Sequence, residues 1–236
     1  MNSITGLPGF RTERNATYRR IRRTSAGAQY EPGGVVIDGT YSGDAGNTGN
    51  VDVLRPGKLM VKKASGGIWR NFIIGKSTAA YVDNDTTITV GAATATEVAR
   101  LIAAAGAAVD LAFIGPPSAA GTVAATAISV TAASGTTLTI ADLNLAKVTD
   151  SLIALPTSAY TAGTFGFIDD GTGVKLSDQD GVRANQPYAT LLTGGYIDES
   201  QIIDWPADTS TVTYLKGLLN VAGSGYGFRF DGPAVA

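Results

Sequence analysis

Lys58-Leu-Met-Val-Lys-Lys63, then Ala64-Ser-Gly-Gly67, then Ile68-Trp-Arg-Asn-Phe-Ile-Ile74 is the stretch that decides the fold. Two runs rich in apolar, β-branched and aromatic residues, separated by a glycine pair, are the pattern of a β-hairpin. Immediately before it, Arg55-Pro-Gly57 reads as a turn, with Pro at the second corner position where its fixed φ fits. Further upstream, Val35-Val-Ile37 reads as a strand and Val51-Asp-Val-Leu54 alternates as a strand does. Between them lies the turn-rich Gly39-Thr-Tyr-Ser-Gly-Asp-Ala-Gly-Asn-Thr-Gly-Asn50. Residues 35–76 therefore read as the first part of a β core.

Downstream the texture changes. Thr87-Ile-Thr-Val90 reads as a strand after an Asp83-Asn-Asp85 turn. Thr94 and Glu97 have the spacing of a capping box, Val98, Leu101, Ile102 and Ala105 recur at helical spacing, and Gly106 supplies a stop. The spacing predicts a helix over 95–105. Strands are expected at 111–114, 122–131 and 136–140, with Gly115-Pro-Pro117 as a rigid turn. Residues 77–141 thus read as a small inserted α/β module. Residues 142–236 return to β texture, with strands expected at 151–155, 165–168, 189–192, 195–197 and 226–230. A short helix is expected at 211–219, weakened by Gly217. The fold class expected is mainly β (α+β): a small barrel-like core from 35–76 and 142–236, carrying the insert and preceded by an extended arm over 1–34.

Composition narrows the chemistry. The 236 residues are 44% hydrophobic, but only 16% are charged, against roughly 25% in an ordinary soluble chain. Gly, Ala, Thr and Ser fill the difference, as suits short strands and a surface buried against other subunits. The chain has no Cys and no His, so disulfides, thiolate nucleophiles, Ser-His-Asp triads and His- or Cys-based metal sites are excluded. The carboxylate groups at Asp83 with Asp85, Asp169-Asp170, and Asp178 with Asp180 all lie beside Gly or Asn, where Asp serves as a turn former. Gly223-Ser-Gly-Tyr-Gly227 leads into a strand rather than opening a helix, so it is not a phosphate loop. No catalytic, cofactor-binding or metal residues are expected, and no enzyme activity. Trp69 and Trp205 read as core or interface anchors.

Charge is unevenly placed. Residues 1–30 hold Arg11, Arg14, Arg19, Arg20, Arg22 and Arg23 against Glu13 alone, a formal +5, while the remainder carries −7. A basic arm on an acidic body is expected to order on a partner surface; the alternative is a solvated flexible tail. No apolar run suits a leader or a membrane span, so cytoplasmic synthesis and no membrane partner are expected. The acidic body and the absence of a nucleic-acid signature argue against nucleic acid as the partner.

Four motifs carry a resemblance: Gly43-Asp-Ala-Gly-Asn-Thr-Gly-Asn50, Leu54-Arg-Pro-Gly-Lys-Leu-Met60, Lys62-Lys-Ala-Ser-Gly66 and Ile73-Ile-Gly75. Together they resemble the opening of the lambda-like head decoration (cement) proteins of tailed phages. Ile168-Asp-Asp-Gly171 is similar to a strand connection of that family, and 94–105 with 113–122 looks like a module inserted in other phage structural proteins. The resemblance implies a structural virion protein on the outer surface of the capsid. It implies the major capsid protein as partner, a homo-oligomer, expected to be a trimer, and no cofactor. Expected capsid contacts are Arg11, Arg14, Arg19, Arg20, Arg22, Arg23, Asn47, Asn50, Arg55, Pro56 and Gly57. Rival readings are a tail, fibre-base or head-fibre protein, a carbohydrate-binding adhesin module, and a nucleic-acid binder working through residues 11–23, which would require steeply salt-dependent affinity.

Overall fold

The computed structural model describes residues 21–22, 27–44, 46–48, 50–115, 123–143, 146–177, 182–184, 186–220 and 227–231. In chain order the first elements are β1 (Gln29–Tyr30), β2 (Val35–Ile37), β3 (Val53–Leu54), β4 (Leu59–Lys63), β5 (Trp69–Asn71), β6 (Ile73–Lys76) and β7 (Thr87–Thr89). Helix α1 (Ala92–Ala105) is followed by β8 (Val109–Gly115), β9 (Ala124–Val130), β10 (Ala132–Ser134), β11 (Thr137–Thr139), β12 (Leu152–Ala154) and β13 (Tyr160–Ile168). The chain closes with β14 (Val174–Lys175), β15 (Gln186–Ala189), β16 (Leu191–Asp198), α2 (Thr209–Leu219) and β17 (Gly227–Asp231). With 42% strand and two helices among the described residues the protein is mainly β, well above the roughly 20–25% strand of an ordinary domain.

The largest sheet runs β1-β16-β13-β4-β5-β2-β15, with β17 parallel to β16, and curls into a half-barrel. A second sheet runs β6-β12-β8-β9, a third β10-β11-β7, and β3 pairs with β14. The expected hairpin is present: Met60, Val61 and Lys62 of β4 face Asn71, Arg70 and Trp69 of β5. The run expected as one strand over 68–74 is divided at Phe72, because the chain changes sheets there. Phe72 N–H donates to Leu59 O (2.9 Å) on the half-barrel side, and its carbonyl accepts from Leu155 N–H (3.0 Å) on the second-sheet side. Its ring is fully buried and meets Tyr160 and Phe165 edge-on, at centroid distances of 5.5 and 5.2 Å.

Three apolar layers follow from this corner. One lies on the half-barrel face that carries Ile37, Met60 and Trp69, where Leu54 of β3 packs against it. A second fills the space between the half-barrel and the second sheet, with Leu59, Val61, Phe165 and Phe167 against Ala112, Ile114, Leu152 and Ala154; Leu215 and Leu219 of α2 join it. The third lies beyond the second sheet, where Leu111, Phe113 and Ile153 meet Val98 and Leu101 of α1 and Ile88 and Leu138 of the third sheet. Strand β8 is thus buried on both faces, which explains its continuous apolar run. Residues 77–141 share both a sheet and an apolar layer with Ile74 and Ile153.

The capping box at Thr94 and Glu97 does not form. Helix α1 starts earlier, behind Gly91, and has no side-chain cap bond. Thr94 is buried instead against Gly75 of β6, where an added Cβ would overlap its Oγ1. Glu97 is turned toward Gly43 and pairs with Arg100. Both residues are spent on packing the helix against its neighbours, so neither is available to the helix start. The stop is as expected, with Gly106 in the left-handed region at φ 66°. Helix α2 begins two residues before the expected start, capped by Asp208, whose carboxylate accepts from Thr211 N–H at 2.6 Å. The run expected as one strand over 189–192 divides between β15 and β16. The turn at Pro116 and Pro117, Thr122, and the strand start at Tyr226 lie outside the described residues.

Phe72→Ala removes the ring that fills the corner between two sheets. We expect a loss of about 3–5 kcal/mol in urea unfolding, against less than about 1.5 kcal/mol for the volume-conserving Leu59→Met.

Candidate interaction surface

Loop 38–52 opens with Asp38 at the end of β2. Its carboxylate accepts from Tyr41 N–H (3.1 Å) and from Arg70 Nε (2.9 Å), and the Arg70 guanidinium lies over the Tyr41 ring at 4.4 Å. The loop then folds on itself: Asn47 N–H donates to Asp44 O, Asn50 N–H to Asn47 O and Val53 N–H to Asn50 O, at 2.8, 3.0 and 3.1 Å. Side chains add to this, with Asn47 Nδ2 donating to Val53 O (3.0 Å) and Asn50 Oδ1 accepting from Asp52 N–H (3.2 Å). Arg183 clamps the two ends, donating to Ser42 O at 2.6 Å and to the Asp52 carboxylate at 2.9 Å. Gly46, Thr48, Asn50 and Val51 are exposed at the tip.

Asp44 forms the base of the loop, and its side chain is fully buried. Arg55 donates to it from its backbone N–H (3.2 Å), Nε (2.7 Å) and Nη2 (2.9 Å). Lys58 Nζ stands 3.6 Å from Asp44 Oδ1 and 2.5 Å from Asp204 Oδ2. Burial alone would push the Asp44 carboxyl up. The Arg55 hydrogen bonds and the Lys58 and Arg55 charges outweigh it and hold the group below the usual carboxylate range. The hydrogen bonds from Arg55 to Asp44 likewise raise the Arg55 guanidinium, against its own partial burial.

The turn between Arg55 and Lys58 is type II, with Gly57 at φ 92° and Lys58 N–H donating to Arg55 O. Gly57 donates to Ile168 O (2.9 Å) and accepts from Ile203 N–H (3.1 Å), and a Cβ there would overlap Gln201 O. Pro56 and Gly57 are buried. Of the residues expected as contacts on this side, Arg55, Pro56 and Gly57 hold the loop from beneath, while Asn47 and Asn50 shape its rim.

The arm joins the body at its C-terminal end. Ile21 is fully buried in the central apolar layer, Arg22 bridges to Ile197, and β1 pairs antiparallel with β16. Arg22 Nε forms an ion pair with Asp169 Oδ2 at 3.2 Å, and the same oxygen accepts a hydrogen bond from Tyr30 Oη at 2.7 Å. Burial, reinforced by that carboxylate, pushes the Tyr30 hydroxyl up to about 12. Arg22 is therefore an internal anchor, and Asp169 does more than turn the chain. Asp170 is a turn former, accepting from Thr172 N–H, and Asp85 accepts from Val82 N–H. Arg11, Arg14, Arg19, Arg20, Arg23, Asp178 and Asp180 lie outside the described residues.

Sequence reasoning missed Asp44, Lys58, Arg183 and Asp204 as a set. Asp44 and Lys58 stood in motifs read only as turn chemistry, and Arg183 and Asp204 sit 131 and 146 positions from their partners. Trp69 is a core residue, and Trp205 stacks on Phe230 at 5.8 Å while donating from Nε1 to Glu199. Among the described residues no cluster of three acidic side chains suits a metal ion, and no helix is long and apolar enough to cross a membrane.

Because the folded Asp44 carboxyl titrates below its unfolded value of about 3.9, the unfolded chain binds the extra proton. The stability it contributes is complete above about pH 4 and is lost as pH falls through the folded value. Asp44→Asn should flatten the acid limb of the stability profile. It should also cost about 3–5 kcal/mol near neutrality, since Arg55 loses the anion it is built around; urea titrations across pH check both. No family model, curated protein or solved structure matches the chain.

Proposed function

We propose that this chain is a structural virion protein that binds the outer surface of a tailed-phage capsid and clamps neighbouring major-capsid subunits. The observation that carries the reading is the resemblance of residues 43–75 to lambda-like decoration proteins. The build of those residues supports it: an exposed tip at Gly46, Thr48, Asn50 and Val51 stands on a base of buried ion pairs and backbone hydrogen bonds. A loop ordered before binding loses little conformational entropy on contact, so more of its contact energy appears as affinity. The basic arm, anchored at Ile21 and Arg22, supplies a second contact of opposite charge to an acidic shell.

The mechanism is mass action. A protein that binds the assembled shell and not the burst one stabilises the shell by its binding free energy. Trimeric association would multiply the effect, because linked contacts act at high effective concentration. The protein acts by binding, without catalysis and without a cofactor.

Co-sedimentation with mature capsids stripped of accessory proteins tests the reading. Saturable binding is expected, at a copy number matching the local symmetry sites of the lattice. No binding, with only a few copies per particle, would move the protein to the tail or fibre. Arg19, Arg20 and Arg23 changed together to Ser should weaken capsid binding about tenfold at low salt, from exposed pairs of about 0.2–1 kcal/mol each, with little effect on folding. Arg22→Ser should instead lower stability, because it strips Asp169 of its cation.

A further inference from the structure

Two lysines of this chain are almost wholly buried, and their surroundings differ. Lys147 donates from Nζ to the backbone carbonyls of Gly115 and Ala124. Lys58, 3% exposed, faces two carboxylates: Asp204 Oδ2 at 2.5 Å and the fully buried Asp44 Oδ1 at 3.6 Å. An amine, a carboxyl group within its reach and a second carboxylate beside the amine are the three groups needed to form an amide between side chains. We propose that Lys58 and Asp204 condense into an intramolecular isopeptide bond, with Asp44 as the proton acceptor.

Both ends are held in place by backbone. Lys58 accepts from Ile168 N–H at 3.1 Å, and Ile203, one residue before Asp204, donates to Gly57 O at 3.1 Å. Asp204 itself sits at φ 60°, in the left-handed region that non-glycine residues rarely adopt. Such backbone is kept where the surrounding structure imposes it, and it is concentrated at functional positions. Holding two reacting groups in contact is worth an effective concentration of about 10⁵–10⁸ M in well-oriented systems.

The step balances without a co-reactant. In the first step the Lys58 ammonium passes one proton to the Asp204 carboxylate it contacts, giving an amine and a carboxylic acid. The amine nitrogen attacks Cγ of Asp204, forming the C–N bond. The nitrogen then gives its extra proton to Asp44, which returns it to the departing hydroxyl as the C–O bond breaks and water leaves. Arg55 keeps Asp44 anionic and orients it through Nε and Nη2. The cluster falls from four charges to two, leaving Asp44 paired with Arg55, which removes part of the cost of holding charges away from water. The bond would tie the start of β4 to the segment ahead of α2, closing a loop of 146 positions.

The test is the intact mass of the full chain under denaturing conditions, with a tryptic map. The expected mass is one water below that of the sequence, with a branched peptide joining Lys58 to Asp204. The full sequence mass, or a one-water deficit that maps to another residue such as an Asp-Gly succinimide, overturns the proposal. Lys58→Arg keeps the cation and should restore the full mass. Asp204→Asn should lose one ammonia in place of one water, which places the electrophile at residue 204; an Asn variant that still loses water overturns the assignment. The wild-type measurement stands whether or not either variant folds.

Discussion

Asp44 is a carboxylate with no exposed side-chain surface, and the contacts that keep it charged join segments distant in the chain. A buried anion without partners would cost several kcal/mol. Here Arg55 reaches it through three N–H groups and Lys58 stands beside it. Those cations lie at the two ends of the Arg55-Pro-Gly57 turn, so the turn geometry and the charge pairing fix one another. Gly57 then carries the constraint to Ile168 at the end of β13 and to Ile203 before α2. A single ion cluster thereby holds together the loop ahead of β3, the start of the hairpin and the approach to the second helix.

Phe72 plays the corresponding part in the apolar framework. By donating to one sheet and accepting from another, it lets a continuous run of chain serve the half-barrel and the second sheet in turn. The stacked layers follow, since strands β8 and β12 present apolar side chains on both faces. Thr94 against Gly75 shows how close the outer layer comes: the helix lies against β6 at a position where the strand lacks a Cβ.

Local chemistry was legible in the sequence where short-range rules operate. The hairpin at Gly66-Gly67, the Arg55-Pro-Gly57 turn, the stop at Gly106 and the strand at 111–114 each depend on neighbours within a few residues. The capping box failed because tertiary packing took Thr94 and Glu97 for other contacts. The 68–74 run divided because a change of sheet has no signature in alternation. The ion cluster was out of reach for a different reason: Asp204 and Arg183 meet their partners across most of the chain, and a charged residue carries no local sign of its partner. Arg22 had the same character, reading as one of six arm arginines while its partner Asp169 read as a turn former.

These contacts make a Gly- and Asn-rich loop a fixed surface, as the proposed binding role requires. Composition alone would suggest a mobile segment, whereas the hydrogen bonds of Asn47, Asn50 and Val53 and the Asp44 base describe an ordered one. Amide hydrogen exchange over residues 44–55 tests this most directly. Slow exchange is expected at the Asn47, Asn50, Val53 and Arg55 amides, all accelerated together in Asp44→Asn. Exchange of these amides at the rate of an unstructured peptide in the unaltered protein, where opening costs about 0 kcal/mol, would contradict it.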